Sequence, residues 1–392
     1  MRVIRYCKYL LLVLLTLFSS VKSNAVNSVD SEGDSIYISL LTCTAGEEIY
    51  SAYGHSAVRV RDSSLGFDVV FNYGTFDFGT PFFVPKFLSG TLDYMLSPSD
   101  FSRFLYCYQM EGRGVVEREM ILSTDQKAEV EKFLMYNLLE PGRRFYRYDF
   151  FFDNCATRIR DFALKITNKE TVDCNNKNPD ETFRSCIHEY VGPEKWYGTG
   201  IDLILGVRAD REVSDYEKAF LPDYLEALLL KQHLLGEPKV LLRRQETGQS
   251  ANWIPSPSIV ATMILLIVIA ISVYEDKRRL WLRWLDFTLF SIMTLLSILF
   301  WFLWVVSEIK ITSYNYNVLW ASILYVPMIV TMVRRKAFPT MVMATANLIM
   351  IAAYFVLIIS EIQYAPTLAV ALALCLALRN AFILKHLRGV AR

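Results

Sequence analysis

Between residues 259 and 384 the chain is a succession of five apolar stretches, 259–274, 285–306, 318–333, 341–359 and 368–384. Several reach the ~20 residues that a helix needs to cross a hydrocarbon core of about 30 Å. That run makes the last third of the chain an α-helical membrane bundle of about five transmembrane helices. The first and third stretches are short and need the flanking Trp253 and Trp320 to reach full length. Arg379 and Asn380 interrupt the fifth. They are expected near its inner end, with the arginine snorkelling toward water.

Basic residues predict the orientation. Lys277, Arg278, Arg279 and Arg283 follow the first stretch; Arg334, Arg335 and Lys336 follow the third; Lys385, Arg388 and Arg392 follow the fifth. The opposite loops hold only Lys310 among Lys and Arg. The basic loops are therefore expected in the cytoplasm and the N-terminal half of the chain outside. The N-terminus agrees. Arg2, Arg5 and Lys8 precede an apolar core (9–18), and Ser23 or Ala25 offers a small cleavage position. This pattern predicts a signal peptide over 1–25. The expected organisation is then an exported domain over 26–235, a linker over 236–258 and a membrane domain over 259–392. A net charge of +1 leaves no electrostatic footprint for nucleic acid.

The exported segment contains Cys43, Cys107, Cys155, Cys174 and Cys186. The number is odd, so one thiol at least stays unpaired within the chain. Cys174 and Cys186 flank a polar loop and are the expected disulfide. Cys43 and Cys107 read as small buried apolar residues.

Residues 36–41, 55–60, 67–73 and 115–122 alternate or are rich in β-branched and aromatic side chains, which predicts strands. A helical stripe of Val130, Phe133, Leu134 and Leu138 follows, capped by Ser123 or Thr124 and ended by Pro141-Gly142. An aromatic run, 145–152, then leads to a second helix from Cys155 to about Ile166, with Asp153 or Asn154 as its cap. Cys155 thus opens a helix, where the dipole and unpaired N–H groups favour a thiolate. An imidazole nearby can take its proton, and His55 opens a strand upstream. The same N–H groups could hold an oxyanion. A third polar group usually orients such an imidazole. Asn72, on the next strand, is the first candidate and Asp77 the second. Tyr53, Asp153, Asn154 and Arg158 are candidates for substrate or oxyanion contact. The plainer readings are caps for Asp153 and Asn154, and a solvated helix face for Arg158. His188, His233 and His386 have bland surroundings. Four histidines and no dense Cys/His or acidic cluster argue against a catalytic metal, and no cofactor is expected.

Four segments together carry a more specific signal: Tyr53-Gly54-His55-Ser56-Ala57, Asn72-Tyr73-Gly74-Thr75-Phe76-Asp77-Phe78, Leu92-Asp93-Tyr94-Met95-Leu96, and Tyr146-Arg147-Tyr148-Asp149-Phe150 through Asp153-Asn154-Cys155. They resemble the lipoprotein N-acyltransferase family Lnb. The resemblance implies an α+β architecture: a circularly permuted papain-like (NlpC-type) periplasmic domain, histidine before cysteine, followed by an α-helical transmembrane bundle in the inner (cytoplasmic) membrane. It also implies Cys155 and His55 as the catalytic pair. The implied reaction moves an acyl chain from a membrane phospholipid, through a cysteine thioester, to the α-amine of a diacylated lipoprotein. Two other readings use the same residues. One is a membrane-tethered papain-like cysteine peptidase or amidase acting on cell-wall peptides. The other is a catalytically silent sensor or assembly factor.

Overall fold

Alternation along the exported half resolves into one antiparallel sheet. In the computed structural model the described residues are 36–64, 66–169, 177–193, 195–245 and 254–390. The expected signal peptide and Cys174 lie outside them. The strands are β1 (Ile36–Cys43), β2 (His55–Asp62), β3 (Phe67–Thr75), β4 (Asp93–Asp100), β5 (Val115–Met120) and β6 (Phe145–Arg147), with β7 (Lys177–Thr182), β8 (Glu212–Ser214) and β9 (Leu235–Leu242) further on. Seven of them pair in the order β6-β4-β3-β2-β1-β5-β9, and β7 pairs with β8 in a separate ribbon. Every pairing is antiparallel.

Helices cover both faces of the sheet. They are α1 (Phe83–Ser89), α2 (Phe101–Met110), α3 (Thr124–Leu139), α4 (Cys155–Ile166), α5 (Phe183–Val191), α6 (Trp196–Ile204) and α7 (Pro222–Lys231). One face presents Ile38, Leu40, Val58, Val60 and Phe71 to Val130 and Leu134 of α3, Ile159 and Phe162 of α4, and Leu225 and Leu229 of α7. The other presents Leu41, Cys43, Ala57, Val70 and Val115 to Phe104 of α2. The central strands are therefore buried on both sides. Each such aliphatic side chain contributes roughly 1.5–3 kcal/mol. The turn into β2 depends on Gly54, whose φ is +79°. A Cβ there would lie 2.6 Å from the Cys43 carbonyl oxygen, so only glycine lets the chain reverse and set His55 opposite Cys43.

Two expectations change in this half. Residues 236–242, expected in a linker, continue β9 at the sheet edge, where Pro238 is tolerated because its missing N–H faces no further strand. Cys107 is exposed rather than buried, whereas Cys43 is buried, which pushes its thiol up to about 12. Cys186 is buried in α5, and Cys174, its expected disulfide partner, lies outside the described residues.

Among the described residues, four helices are long and apolar enough to cross a membrane: α8 (Pro257–Arg278), α9 (Arg283–Val305), α11 (Ala337–Ile359) and α12 (Thr367–Val390). The third apolar stretch is not one helix. Tyr316–Leu319 is a 3₁₀ turn, and only Tyr325–Val333 (α10) is α-helical. At its start Tyr316 N–H donates to Gln363 Oε1, just beyond the end of α11 (2.7 Å). At its finish Thr340 Oγ1, near the start of α11, donates to Thr331 Oγ1 (2.9 Å). The stretch therefore runs the length of α11, about 34 Å at 1.5 Å per residue. The irregular part survives because protein satisfies it. Asn315 and Asn317 each donate to the Leu203 carbonyl (2.8 and 3.1 Å), while Trp320 Nε1 and Tyr354 OH donate to Asn317 Oδ1 (2.8 and 2.9 Å). Non-helical backbone at such depth is tolerated only when buried in this way.

Arg379 does not snorkel. It is fully buried, and its Nε and Nη2 donate to the Asp286 carboxylate (2.7 and 2.9 Å). Its Nη1 donates to Ser272 Oγ (3.0 Å) and to Glu275. Both carboxylates are fully buried, so one guanidinium clasps α8, α9 and α12 together. Removing the cation alone would leave two acids uncompensated. Arg379→Met is expected to destabilise the protein by roughly 3–5 kcal/mol, read as a lowered thermal midpoint in detergent.

Candidate active site

Asn154 holds the start of α4. Its Oδ1 accepts from Thr157 N–H (2.9 Å), and its own N–H donates to Thr157 Oγ1 (2.7 Å). Its Nδ2 donates to the carbonyls of Phe150 and Phe220 (2.7 Å each). Every polar atom of this 2% exposed side chain is thus committed to the cap. Asp153 forms a bidentate pair with Arg158 (2.6 and 2.8 Å), and the guanidinium stacks over Tyr146 at 3.5 Å. The fork of Arg158 is thereby occupied within the fold.

The third amide of α4 is taken by its cap, but the first two are not. The backbone N–H groups of Cys155 and Ala156 turn toward the Cys155 sulfur, together with that of Ser56 from β2. Desolvation raises the thiol above its ordinary range, and these amides oppose it without cancelling it. The resting thiol is therefore protonated. Gly74 borders the thiol, and it is the left-handed backbone there, φ +88°, that calls for glycine. A methyl group at that position would stand 3.8 Å from Cys155 Cβ and 3.6 Å from Tyr148 Cε2.

β2 and β3 pair with Val58 opposite Phe71. Extending that register by one residue sets Asn72 across from Ala57, diagonal to His55 on the same face. Asn72 Oδ1 lies 3.3 Å from His55 Nε2, and Asn72 Nδ2 donates to the Val70 carbonyl at 3.3 Å. The amide oxygen must therefore be the atom facing the ring, and it can only accept. This assigns the proton to Nε2 and the lone pair to Nδ1. A bulge between Asn72 and Thr75 shifts the β3–β4 register beside this pair. Burial lowers the His55 pKa to about 4; the Asn72 contact opposes that fall, and the Arg113 charge adds to it. The ring is neutral at pH 7 and able to accept a proton.

The remaining candidates lie elsewhere. Tyr53 packs with Phe150, Tyr190 and Tyr197 (centroids 4.7, 5.9 and 6.4 Å), in a separate aromatic cluster. Asp77 is exposed and caps its own turn by accepting from Gly79 N–H (2.8 Å). Conversely, Tyr146 and Tyr148 stand close enough for the Cys155 charge to affect them, and Arg113 reaches His55 electrostatically. None of these three was singled out as a candidate from the sequence. The two tyrosines do fall in the 145–152 aromatic run.

A family model described as the Lnb N-terminal periplasmic domain matches residues 24–188, and one described as the Lnb transmembrane domain matches residues 249–388. The chain belongs to the Lnb family. No curated protein and no solved structure matches it in the same comparisons. His55, Asn72 and Cys155 all fall in the Lnb periplasmic match, and the four apolar helices fall in the Lnb transmembrane match up to residue 388. The protein is thus a membrane protein with a periplasmic part, and its Lnb membership suggests an enzyme of lipoprotein N-acylation.

The lowered His55 pKa has a consequence for stability. Above pH ~6.5 the ring is neutral both in the unfolded chain and in this site. As pH falls from there toward about 4, the unfolded chain takes up a proton that the folded site refuses, so stability declines. His55→Gln should remove that part of the acid sensitivity. Unfolding midpoints of both proteins at pH 7 and pH 5 would show the unaltered chain losing more.

Proposed function

We propose that this protein is a lipoprotein N-acyltransferase whose exported domain is a permuted papain-like (NlpC-type) thiol fold. Cys155 is its nucleophile, His55 its base and Asn72 the group that orients the ring. The observation that carries the reading is the meeting of two elements. The amide next to His55 reaches the sulfur of a cysteine at a helix N-terminus, and Asn72 holds the imidazole in one tautomer.

In the first half-reaction His55 Nδ1 takes the Cys155 proton as the sulfur attacks the ester carbonyl of a membrane phospholipid. The amides of Ser56, Cys155 and Ala156 hold the tetrahedral oxyanion. The C–O bond to glycerol then breaks, His55 returns its proton to the departing alkoxide, and lyso-phospholipid leaves a Cys155 thioester. In the second half-reaction the α-amine of a diacylated lipoprotein attacks that thioester. The C–S bond breaks, an amide forms, and the amine proton passes through His55 to the sulfur. A neutral thiol and a neutral imidazole are suited to this cycle, because the proton moves only when the carbonyl is in place. No cofactor is needed for either half. The basic loops between the apolar helices support an inner-membrane orientation with the thiol domain in the periplasm, where both substrates present their reacting groups.

The test is to incubate the purified full-length protein with phospholipid and diacylated lipoprotein. Intact mass should show acylated Cys155, and the products should be lyso-phospholipid and triacylated lipoprotein. Cys155→Ala should abolish both products, and Asn72→Ala should slow turnover roughly 10²-fold. Undiminished product from Cys155→Ala would remove the cysteine from the mechanism. Release of cell-wall peptide without acylation would make the protein a hydrolase instead.

A further inference from the structure

We infer that α1 and the loop before it enter the outer leaflet, and that the rings leading from there to Cys155 form the path of the donor's acyl chain. The inference rests on the transferase reading and adds to it where the chain enters and what it lies against.

The first observation is exposure. Phe78, Phe82, Val84 and Phe87 are 66%, 79%, 61% and 49% exposed within ten residues of sequence. Phe82 also holds a left-handed backbone, φ +58°, which a bulky side chain adopts only at a cost. The helix that follows contains no acidic residue, and its one charge is Lys86 in the last turn. A patch of this kind marks an interaction site.

The second observation is its level. Ser307 Oγ donates to the Leu88 carbonyl and Glu308 N–H to the Ser89 carbonyl (2.8 Å each). Those two residues come directly after α9 and the exposed Val305 and Val306. The C-terminal end of α1 is therefore fastened at the end of a spanning helix, where hydrocarbon gives way to headgroups. The partner available to exposed rings at that level is lipid.

The third observation is continuity toward the thiol. Phe87 and Phe83 lie with parallel rings at 6.4 Å, and Phe83 meets Phe78 at 5.1 Å. Phe78 meets Phe76 at 4.8 Å, Phe76 meets Tyr94 at 5.1 Å, and Tyr94 stacks on Tyr148 at 4.2 Å. Tyr148 and Cys155 then border Gly74 together. Along the line from Phe87 to Cys155 the rings pass from phenylalanine to tyrosine toward the sulfur, with the exposed Tyr50 flanking Phe76 and Phe78 at 6.1 and 6.2 Å. That gradient matches an acyl ester, a long apolar tail with a single polar carbonyl at its head. An apolar peptide would instead need partners for its backbone along the way.

The test uses the full chain as Cys155→Ala, reconstituted in phosphatidylethanolamine vesicles containing a phospholipid with a diazirine near the end of one acyl chain. After photolysis, mass spectrometry should place adducts within residues 76–94. Adducts confined to the spanning helices would overturn the inference. With the thiol intact, Phe83→Ser combined with Phe87→Ser should lower acylation of Cys155 by long-chain phospholipid about tenfold more than acylation by a water-soluble butyryl thioester, a difference of ~1.4 kcal/mol. Equal effects on the two donors would also overturn it. Should neither donor acylate Cys155 in the unaltered protein, the transferase reading fails, and the photoadducts alone decide whether this segment meets lipid.

Discussion

The amide cap that Asn154 builds at the start of α4 is the interaction on which the site depends. It spends the amide of Thr157 on the cap and ties the preceding turn to Phe150 and Phe220. What it leaves unspent are the two amides at Cys155 and Ala156. A helix N-terminus always has orphan donors. Here the cap decides which of them stay available, and the sheet supplies one more from Ser56. The same arrangement therefore satisfies the fold and leaves a polar cradle around one sulfur.

That cradle sits in apolar surroundings, and the balance sets the protonation state. Burial disfavours both the thiolate and the imidazolium, so neither charge forms at rest. Asn72 works against the loss of basicity at His55, since its oxygen stabilises the ring proton more as charge develops. The tyrosines around the thiol contribute shape and low polarity. Arg158, which might have been free to bind an anion, is instead committed to Asp153 and the Tyr146 ring.

The membrane half fixes where this chemistry stands. Arg379 with Asp286 and Glu275 locks three long helices at one end of the bundle. At the other end, Asn315 and Asn317 bond to Leu203 of the exported half, and Ser307 and Glu308 bond to the end of α1. Arg184, buried and paired with Asp202 and Asp210, packs against Tyr364 beyond the end of α11. Polar contacts of this density make the junction directional. Apolar packing alone would not set a register between sheet and bundle.

By itself the sequence determined what is local. The strands β1, β2, β3 and β5, the helices capped at Ser123 and Asn154, and the placing of Cys155 at a helix start all follow from periodicity and capping chemistry, which act over a few residues. The apolar stretches likewise announced a bundle. Tertiary structure decided the rest, because long-range pairing has no local signature. Only the fold carries Ser56 to a sulfur 99 residues later and buries Arg379 among acids 104 and 93 residues away. Only the fold lets the third apolar stretch break, since its irregular backbone is satisfied by residues distant in the chain. And β9, with a proline that locally argues against a strand, exists because β5 offered an open edge.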